Sequence, residues 1–190
     1  MQGKVGGIDF PMSKGLFISG KVVDSKGNPL NQIRVAGKTF SPNSYDVVRT
    51  DVNGNFKLYG FQPDAIVWLR LDGKGFAHMR RIVQFTDTAL ADPHITMYPE
   101  ATISGMVVDQ SGQPVEGAMI YVENADVYGA SGNTASDAQG GLTFEKMVEG
   151  RFHVKHQTVA DSSPFDDPIL KTVTVASGQH LEGLQFVIAN

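Results

Sequence analysis

Hydrophobic and polar residues alternate along most of this chain in short runs, a pattern typical of half-buried β-strands. Two runs nearly repeat each other: ISGKVVDSKGNPL at 18–30 and ISGMVVDQSGQPV at 103–115. In each run the alternation stops at an aspartate, and a glycine and a proline follow as turn residues. Each run therefore predicts a strand, a turn and a second strand, joined either as a hairpin or as a crossover pair.

The two phrases belong to an internal duplication of most of the chain. Ile18 aligns with Ile103 at an offset of 85 residues, and residues 49–61 align with 135–147 at an offset of 86. Such self-similarity indicates repeated structural units. The strands that follow the phrases alternate as well, and their inward residues are listed here: Ile33, Val35, Phe56, Leu58, Val67, Leu69 and Leu71 in the first copy, and Ala118, Ile120, Val122, Leu142, Phe144, Phe152 and Val154 in the second.

Five or more short strands in each copy, separated by turn residues and without a helical period, predict an all-β fold. We expect two tandem small antiparallel β-sandwiches at residues 17–99 and 100–190. The linker YPEAT at 98–102 contains Pro99, which restricts the residue before it, so we expect limited rotation between the two sandwiches.

The ends of the repeats carry a further pattern. The segments GGIDF at 6–10, PHITM at 93–97 and GLQFVI at 183–188 each predict an apolar strand, and the first two precede an ISG phrase. Residues 1–16 are therefore expected to be the final strand or linker of a preceding repeat, and the chain a piece of a longer array. The alternative is an N-terminal arm that pairs with the first repeat.

Composition supports this class and removes several others. The chain has 190 residues, of which 41% are hydrophobic, 21 are glycine and none is cysteine. That much apolar material is enough for a packed core, and the absence of cysteine excludes disulfides and thiolate-ligated metals. The longest clean apolar run is AIVWL at 65–69, far below the roughly 20 residues of a membrane helix, so no membrane insertion is expected.

Charge is distributed unequally between the repeats. Residues 17–99 carry 10 Lys and Arg against 7 Asp and Glu, a net charge of +3, and residues 100–190 carry 4 against 12, a net charge of −8. The basic cluster of the first repeat, formed by Arg70, Lys74, Arg80 and Arg81, has no aromatic residues spaced as a stacking platform. It therefore does not predict nucleic-acid binding. Opposite net charges could instead hold the two repeats together, which places the basic cluster near an acidic loop, or could let successive molecules meet head to tail. The alternative is two solvated surfaces. The acidic residues concerned are Asp161, Asp166 and Asp167.

The pattern I-S-G-x-V-V-D-x-x-G-x-P, followed by T/S-D-x-x-G-x-F/L and an alternating strand, resembles the carboxypeptidase regulatory-like domain. That family is related to transthyretin-like and collagen-adhesin B-type modules. The resemblance covers both copies, and DGKGF at 72–76 is similar to the closing Gly-aromatic step of the family, which the second copy replaces with ADSSPFDDP at 160–168. It implies non-catalytic sandwiches, often in tandem on exported bacterial proteins.

Catalytic motifs do not appear along the chain. HVKH at 153–156 places its histidines three apart on a strand, where they face opposite sides and do not share a metal. There is no H-E-x-x-H, G-x-S-x-G or P-loop motif, and the chain ends FVIAN where the related hydroxyisourate hydrolases end Tyr-Arg-Gly-Ser. The sequence predicts no enzyme, no cofactor and no catalytic residues.

Calcium is the one metal with candidate ligands. Asp51, Asn53 and Asn55 resemble the start of an oxygen-ligand loop, but Gly54 and Gln62 do not stand where an EF-hand needs glycine and glutamate. The competing interpretation, which we favour, is a hairpin turn in which Asp51 caps backbone amides. The acidic loop at 161–167 is a weaker candidate.

The candidate binding surface lies around the single tryptophan. If Val67, Leu69 and Leu71 face the core, then Ile66, Trp68 and Arg70 face outward on a strand of period two. The opposite register would bury Arg70, which is costly without a partner. An exposed tryptophan is a platform for sugars or proteins, and Tyr45 and Tyr121 are further candidates for such a surface.

These expectations together predict a non-catalytic structural or interaction module of a larger exported or cell-surface bacterial protein, located outside the cytoplasm. Its expected partners are a protein or the neighbouring domains of the parent chain, and possible further partners are polysaccharides. The alternatives are a carbohydrate-binding module that uses Trp68 with Tyr45 or Tyr121, and a calcium-stabilised adhesin stalk.

Overall fold

The computed structural model describes residues 16–41, 43–84, 90–126, 131–157 and 167–189, and these contain fourteen β-strands and no helix. The first repeat holds β1 (Leu16–Val23), β2 (Arg34–Phe40), β3 (Asn43–Arg49), β4 (Asn55–Phe61), β5 (Ile66–Asp72), β6 (Met79–Gln84) and β7 (Leu90–Thr96). The second holds β8 (Ala101–Val108), β9 (Met119–Asn124), β10 (Ser131–Ala135), β11 (Gly141–Met147), β12 (Gly150–His156), β13 (Ile169–Val175) and β14 (His180–Val187). The segment GGIDF, predicted as a strand, lies outside the described residues.

The strands form four sheets, and each sheet takes its strands from one repeat. In the first repeat the orders are β4-β1-β7 and β3-β2-β5-β6, and in the second they are β11-β8-β14 and β10-β9-β12-β13. Each repeat therefore has a three-stranded and a four-stranded sheet in equivalent positions. The predicted all-β architecture of two tandem sandwiches is confirmed.

Each pair of sheets encloses its own hydrophobic core. In the first repeat, Ile18 and Leu58 from the three-stranded sheet pack in one cluster with residues such as Leu69 from the four-stranded sheet. In the second repeat, Ile103 and Val154 lie in the corresponding cluster. All the residues predicted to face inward are buried, because a strand with period-two alternation has one face available for burial.

The repeated phrase is a crossover, so the hairpin alternative is wrong. β1 belongs to the three-stranded sheet and β2 to the four-stranded sheet, and the chain passes between them after a short bridge that pairs Val23 with Pro29. The second repeat has the same bridge between Val108 and Pro114. The proline cannot donate to a ladder, which is consistent with the chain leaving the first sheet at this point.

One feature of the topology differs from a purely antiparallel sandwich. β7 pairs with β1 in parallel, and β14 pairs with β8 in parallel. Parallel strands cannot be joined by a tight hairpin, so such a pair requires a long connection. Here the pair consists of the first and last strands of each repeat, and the whole of the repeat is the connection.

Four turns with the sequence D-x-x-G-x share one geometry; we call them the aspartate turns, and they begin at Asp24, Asp51, Asp109 and Asp137. The segment DGKGF at 72–76 has the same spacing, but the Asp72 carboxylate accepts a hydrogen bond from Lys146. In each of the four aspartate turns one carboxylate oxygen accepts hydrogen bonds from the backbone amides two and four residues later, over 2.7–2.9 Å. The glycine of these turns has a positive φ in every case, from 76° at Gly140 to 84° at Gly27. Glycine adopts that conformation without a Cβ penalty, which explains the shared D-x-x-G spacing.

Candidate functional site

The outer surface of the sheet β3-β2-β5-β6 in the first repeat exposes a group of large apolar side chains. We call this surface the aromatic face, defined by Phe40, Tyr45, Val47, Ile66, Trp68 and Ile82, all of which are exposed. They face outward because the intervening residues of each strand, such as Val67 and Leu69, fill the core. A contiguous exposed apolar patch of this kind is a marker of an interaction surface.

Trp68 lies in the middle of this surface. The residue is 46% exposed, and the strand register places Lys38 opposite it on β2 and Ile82 opposite it on β6. The Phe40 ring meets the Trp68 ring edge-on, with the centroids 6.0 Å apart and the planes at 83°. The Lys38 Nζ atom lies 4.8 Å from the centroid of Phe40, within the range of a cation–π contact.

Cationic side chains accompany the apolar ones. At the outward positions of β2, β3, β5 and β6, all of which the structure describes, the one carboxylate is Asp72, against five cations: Arg34, Lys38, Arg49, Arg70 and Arg80. Arg34 Nη2 donates a hydrogen bond of 2.6 Å to the Tyr45 hydroxyl, which holds both side chains against the sheet. The aromatic face therefore combines aromatic rings with a net positive charge.

The predicted binding surface is divided by the structure. Ile66, Trp68 and Arg70 share the aromatic face, as the preferred register of β5 requires. Tyr121 lies on β9 in a different sheet of the second repeat and is half-buried, so it does not extend the same surface. Sequence reasoning missed Phe40 and Ile82. Their outward positions in the alternation of β2 and β6 could have identified them.

The candidate calcium ligands form one of the aspartate turns. Asp51 Oδ1 accepts hydrogen bonds from the amides of Asn53 at 2.9 Å and Asn55 at 2.8 Å, and Asp51 Oδ2 accepts one from Asn55 Nδ2 at 3.2 Å. The hydrogen bond from the Asn55 amide is the largest cause that lowers the pKa of Asp51 below its usual value. This is the capped hairpin turn that was the favoured interpretation. Within the described ranges, no three His, Asp or Glu side chains come together as a metal site.

The linker between the repeats is hydrogen-bonded on both sides. Toward the first repeat, the Ala77 amide donates to Tyr98 O over 3.0 Å and the Glu100 amide donates to Gly75 O over 3.1 Å. Toward the second repeat, the Gly178 amide donates to Pro99 O over 3.3 Å. The backbone of the linker therefore forms part of both sandwiches.

A lysine from the second repeat reaches across this junction. Lys146 Nζ donates to Asp72 Oδ1 over 2.8 Å and to Gly73 O over 2.9 Å, and its carbonyl accepts from the His78 amide over 3.1 Å. Lys146 lies at an irregularity in the pairing of β11 with β8 and has a φ of 57°, an uncommon conformation for a residue with a side chain. The bulge turns the side chain out of the sheet and toward the first repeat.

Asp72 and His78 form the receiving side of this contact. Burial acts to raise the pKa of Asp72, but the hydrogen bond and the charge of Lys146 outweigh it and hold that pKa below its usual value. Burial also lowers the pKa of His78, although the Asp72 carboxylate, 3.5 Å from His78 Nε2, opposes this.

The polarity of this ion pair is opposite to the expected one. The acidic partner belongs to the basic repeat and the basic partner to the acidic repeat, so local geometry and not net charge selects the pair. Asp161 and Asp166, the expected partners of the basic cluster, lie outside the described residues, and Asp167 is buried near the start of β13. A groove of about 760 Å³ runs along the junction beside Asp72 and Lys146.

The described part of the chain contains no helix of the length and apolar character that crossing a membrane requires. The family model of the carboxypeptidase regulatory-like domain matches residues 102–189, which is the second repeat. No curated protein matches the chain at a significant level.

Several solved structures are similar to this chain. A streptococcal ancillary pilin is 15% identical over 92% of this chain and 62% of its own, with a TM-score of 0.39. A minor pilin of Streptococcus agalactiae is 10% identical over 92% of this chain and 95% of its own, with a TM-score of 0.41. The Bacillus anthracis TIE protein is 11% identical over 93% of this chain with a TM-score of 0.37, and this chain spans 34% of its length.

Proposed function

Residues 102–189 match the carboxypeptidase regulatory-like domain, and from that premise we propose that this chain is a non-catalytic structural and interaction module of a larger exported or cell-surface protein. The module is proposed to act as a stiff two-sandwich unit that holds its binding surface at a set distance and angle from the neighbouring domains. Its expected partners are proteins, since the apolar part of the aromatic face includes three aliphatic side chains, Val47, Ile66 and Ile82.

The observation that carries this proposal is the junction. A flexible tether between two domains is expected to be solvated and to contact neither of them. Here the linker carbonyls accept hydrogen bonds from the loops of both sandwiches, and Lys146 adds two hydrogen bonds from one repeat to the other. Such contacts oppose bending of the chain between the two repeats.

The polar groups that a sequence search singles out for chemistry are used here to stabilise turns and the junction. The carboxylates of Asp24, Asp51, Asp109 and Asp137 accept backbone hydrogen bonds in the aspartate turns. A carboxylate that accepts two such bonds is stabilised in its charged form, which makes it a poor general base. This supports a structural role for them.

The proposal is tested by measuring whether the two repeats reorient together. Residual dipolar couplings of backbone amides in both repeats are expected to fit one alignment tensor in the unmodified chain. Inserting a flexible Gly-Ser pair between Pro99 and Glu100 removes the clamp and is expected to give two tensors. Lys146→Ala is expected to separate the alignment tensors of the two repeats by a smaller amount. Lys171→Ala, which removes an exposed lysine on β13, is the matched control.

Two different tensors in the unmodified chain would contradict the stiff-spacer function. Equal behaviour of the insertion variant and the unmodified chain would instead show that the linker contacts do not hold the junction, and would contradict the role assigned to them.

A further inference from the structure

We infer that the aromatic face of the first repeat binds the second repeat of another copy of this chain. The face presents six exposed apolar side chains, Trp68 among them, interspersed with arginine and lysine. Aromatic residues and arginine are enriched at the centres of protein interfaces, where a few of them supply most of the binding energy. The inference deepens the proposed function, on which it rests, by naming a partner.

Charge excludes the simplest self-association through this surface. In a symmetric dimer the aromatic face would meet itself, and the side chains of Lys38, Arg70 and Arg80 would face like charges on the other copy. Like charges that meet across an interface oppose binding, whereas a surface rich in carboxylates favours it. The second repeat of the same chain has a net charge of −8 and supplies such carboxylates.

One end of the second repeat combines two carboxylates, Asp109 and Asp137, with exposed apolar residues. Its two aspartate turns begin at Asp109, which is half-buried, and at Asp137, which is exposed. The corresponding turns of the first repeat have Lys21 and Lys26 as neighbours, and the positions 85 residues later are Met106 and Ser111. The second repeat therefore has no lysine at either of these two positions.

Met106 and Val187 supply the apolar part of this end. Met106 is 44% exposed and pairs with Gly141, whose amide donates to Asp137 Oδ1 over 2.7 Å. Val187 is exposed and pairs with Val108, which directly precedes Asp109. Apolar side chains flanked by two carboxylates complement a surface of aromatic rings flanked by cations. We call this region the acidic end.

An interface between the aromatic face of one copy and the acidic end of the next is heterologous. Each copy keeps one free surface of each kind after binding, so association continues beyond a dimer unless the rotation closes a ring. The association is driven partly by charge and weakens as salt shortens the Debye length, which is about 8 Å at physiological ionic strength.

Sedimentation equilibrium of the intact chain over a concentration series tests the inference. The weight-average mass is expected to rise past that of a dimer at low salt and to fall toward the monomer at high salt. Trp68→Ala is expected to weaken the association about tenfold or more. Tyr59→Ala is the matched control, because Tyr59 is an equally exposed aromatic residue on the three-stranded sheet of the same repeat and should leave the association unchanged.

A second pair of variants tests the negative charge of the acidic end. The double variant Asp109→Asn, Asp137→Asn keeps Oδ1 for the backbone amides and removes two charges, and is expected to weaken association several-fold. The control Asp24→Asn, Asp51→Asn removes two charges from the turns of the first repeat, together with the Oδ2 acceptors of Asn28 Nδ2 and Asn55 Nδ2, and is expected to leave the association unchanged.

Several results would overturn the inference. These are a chain that stays monomeric at every concentration and salt, an association that stops at a dimer and strengthens with salt, and equal effects of the two double asparagine variants. A monomeric chain that binds the anionic polysaccharide polygalacturonate, and loses that binding in Trp68→Ala, would assign the aromatic face to a glycan. Alignment tensors measured on monomer at high salt test the stiff-spacer function separately, so failure of one proposal does not imply failure of the other.

Discussion

The four-stranded sheets of the two repeats have the same strand order but different outer surfaces. In the first repeat the register aligns Tyr45, Lys38, Trp68 and Ile82 in one row across β3, β2, β5 and β6. In the second repeat the same row consists of the positions Ser131, Glu123, His153 and Thr172 across β10, β9, β12 and β13. Three large apolar residues in one repeat thus correspond to polar residues in the other.

Polar side chains of this sheet in the second repeat bond to each other. His153 Nδ1 lies 3.0 Å from Thr172 Oγ1, and Lys155 Nζ donates to Glu123 Oε2 over 2.9 Å although Lys155 is buried. A surface whose polar groups are paired within the sheet has less to gain from a partner than one that exposes aromatic rings. Because the core-facing side chains of both repeats are apolar, the comparison locates the divergence between them on the outward faces, where substitution leaves the fold intact.

The largest loss of stability is expected from substitutions at inward positions, because the comparison assigns stability to the core-facing side chains. Phe152→Ala removes a fully buried ring from the second core and is expected to lower the free energy of unfolding by about 3–5 kcal/mol. Trp68→Ala removes an outward ring from the first repeat and is expected to lower the free energy of unfolding by no more than about 1 kcal/mol. Urea unfolding measures both, and a Trp68→Ala variant that is as unstable as Phe152→Ala would show that Trp68 serves the fold.

The aspartate turns allow a second comparison inside one repeat. A Cβ at Gly54 would lie 2.4 Å from Val22 O, whereas a Cβ at Gly27 would meet nothing within 4 Å, although both glycines have positive φ. Gly54→Ala is therefore expected to destabilise the chain by about 2–4 kcal/mol, and Gly27→Ala by about 1 kcal/mol. Thermal unfolding of the two variants checks this order, and equal losses would show that the close contact with Val22 adds nothing.

Exchanging the outer rows of the two sheets tests where the interaction surface lies. The double variant Trp68→His, Ile82→Thr gives the first repeat the residues of the second at these positions. We expect self-association to weaken about tenfold or more while the free energy of unfolding changes by less than about 1 kcal/mol. Sedimentation and urea unfolding provide the two measurements. The double variant His153→Ala, Thr172→Ala in the second repeat is the control. A loss of association in this control too would contradict the assignment of the interaction surface to the first repeat.

The smallest effect concerns acid. The pKa of Asp109 lies below its usual value, first because of the hydrogen bond from Ser111, and that of Asp24 lies below it first because of the side chain of Asn28. A carboxylate with a lower pKa in the folded than in the unfolded state stabilises the fold above the unfolded value, here 3.8, and this stabilisation is lost as the pH falls through the folded pKa. Carboxyl NMR titrations of both are expected to give midpoints below 3.8, and a midpoint at or above it would contradict the turn geometry.

Much of the fold and part of the candidate site could be predicted because both depend on local patterns. The inward residues of the two cores follow from alternation, and the outward position of Trp68 follows from the cost of burying Arg70 beside it. Phe40 and Ile82 were missed because their contact with Trp68 depends on register between strands, which turn lengths and packing set. The contact between Asp72 and Lys146 joins residues 74 positions apart and depends on a bulge that alternation does not encode.

The sequence by itself determined the two-repeat organisation, the buried face of most strands and the aspartate turns. Each of these follows from the period of two in a strand, or from the φ that glycine tolerates and an aspartate that caps nearby amides. The tertiary structure decided the parallel pairing of the first and last strands, the row around Trp68, and the junction. These three depend on which surfaces meet when distant segments pack, and the polar surfaces that meet at the junction have no periodic pattern along the chain.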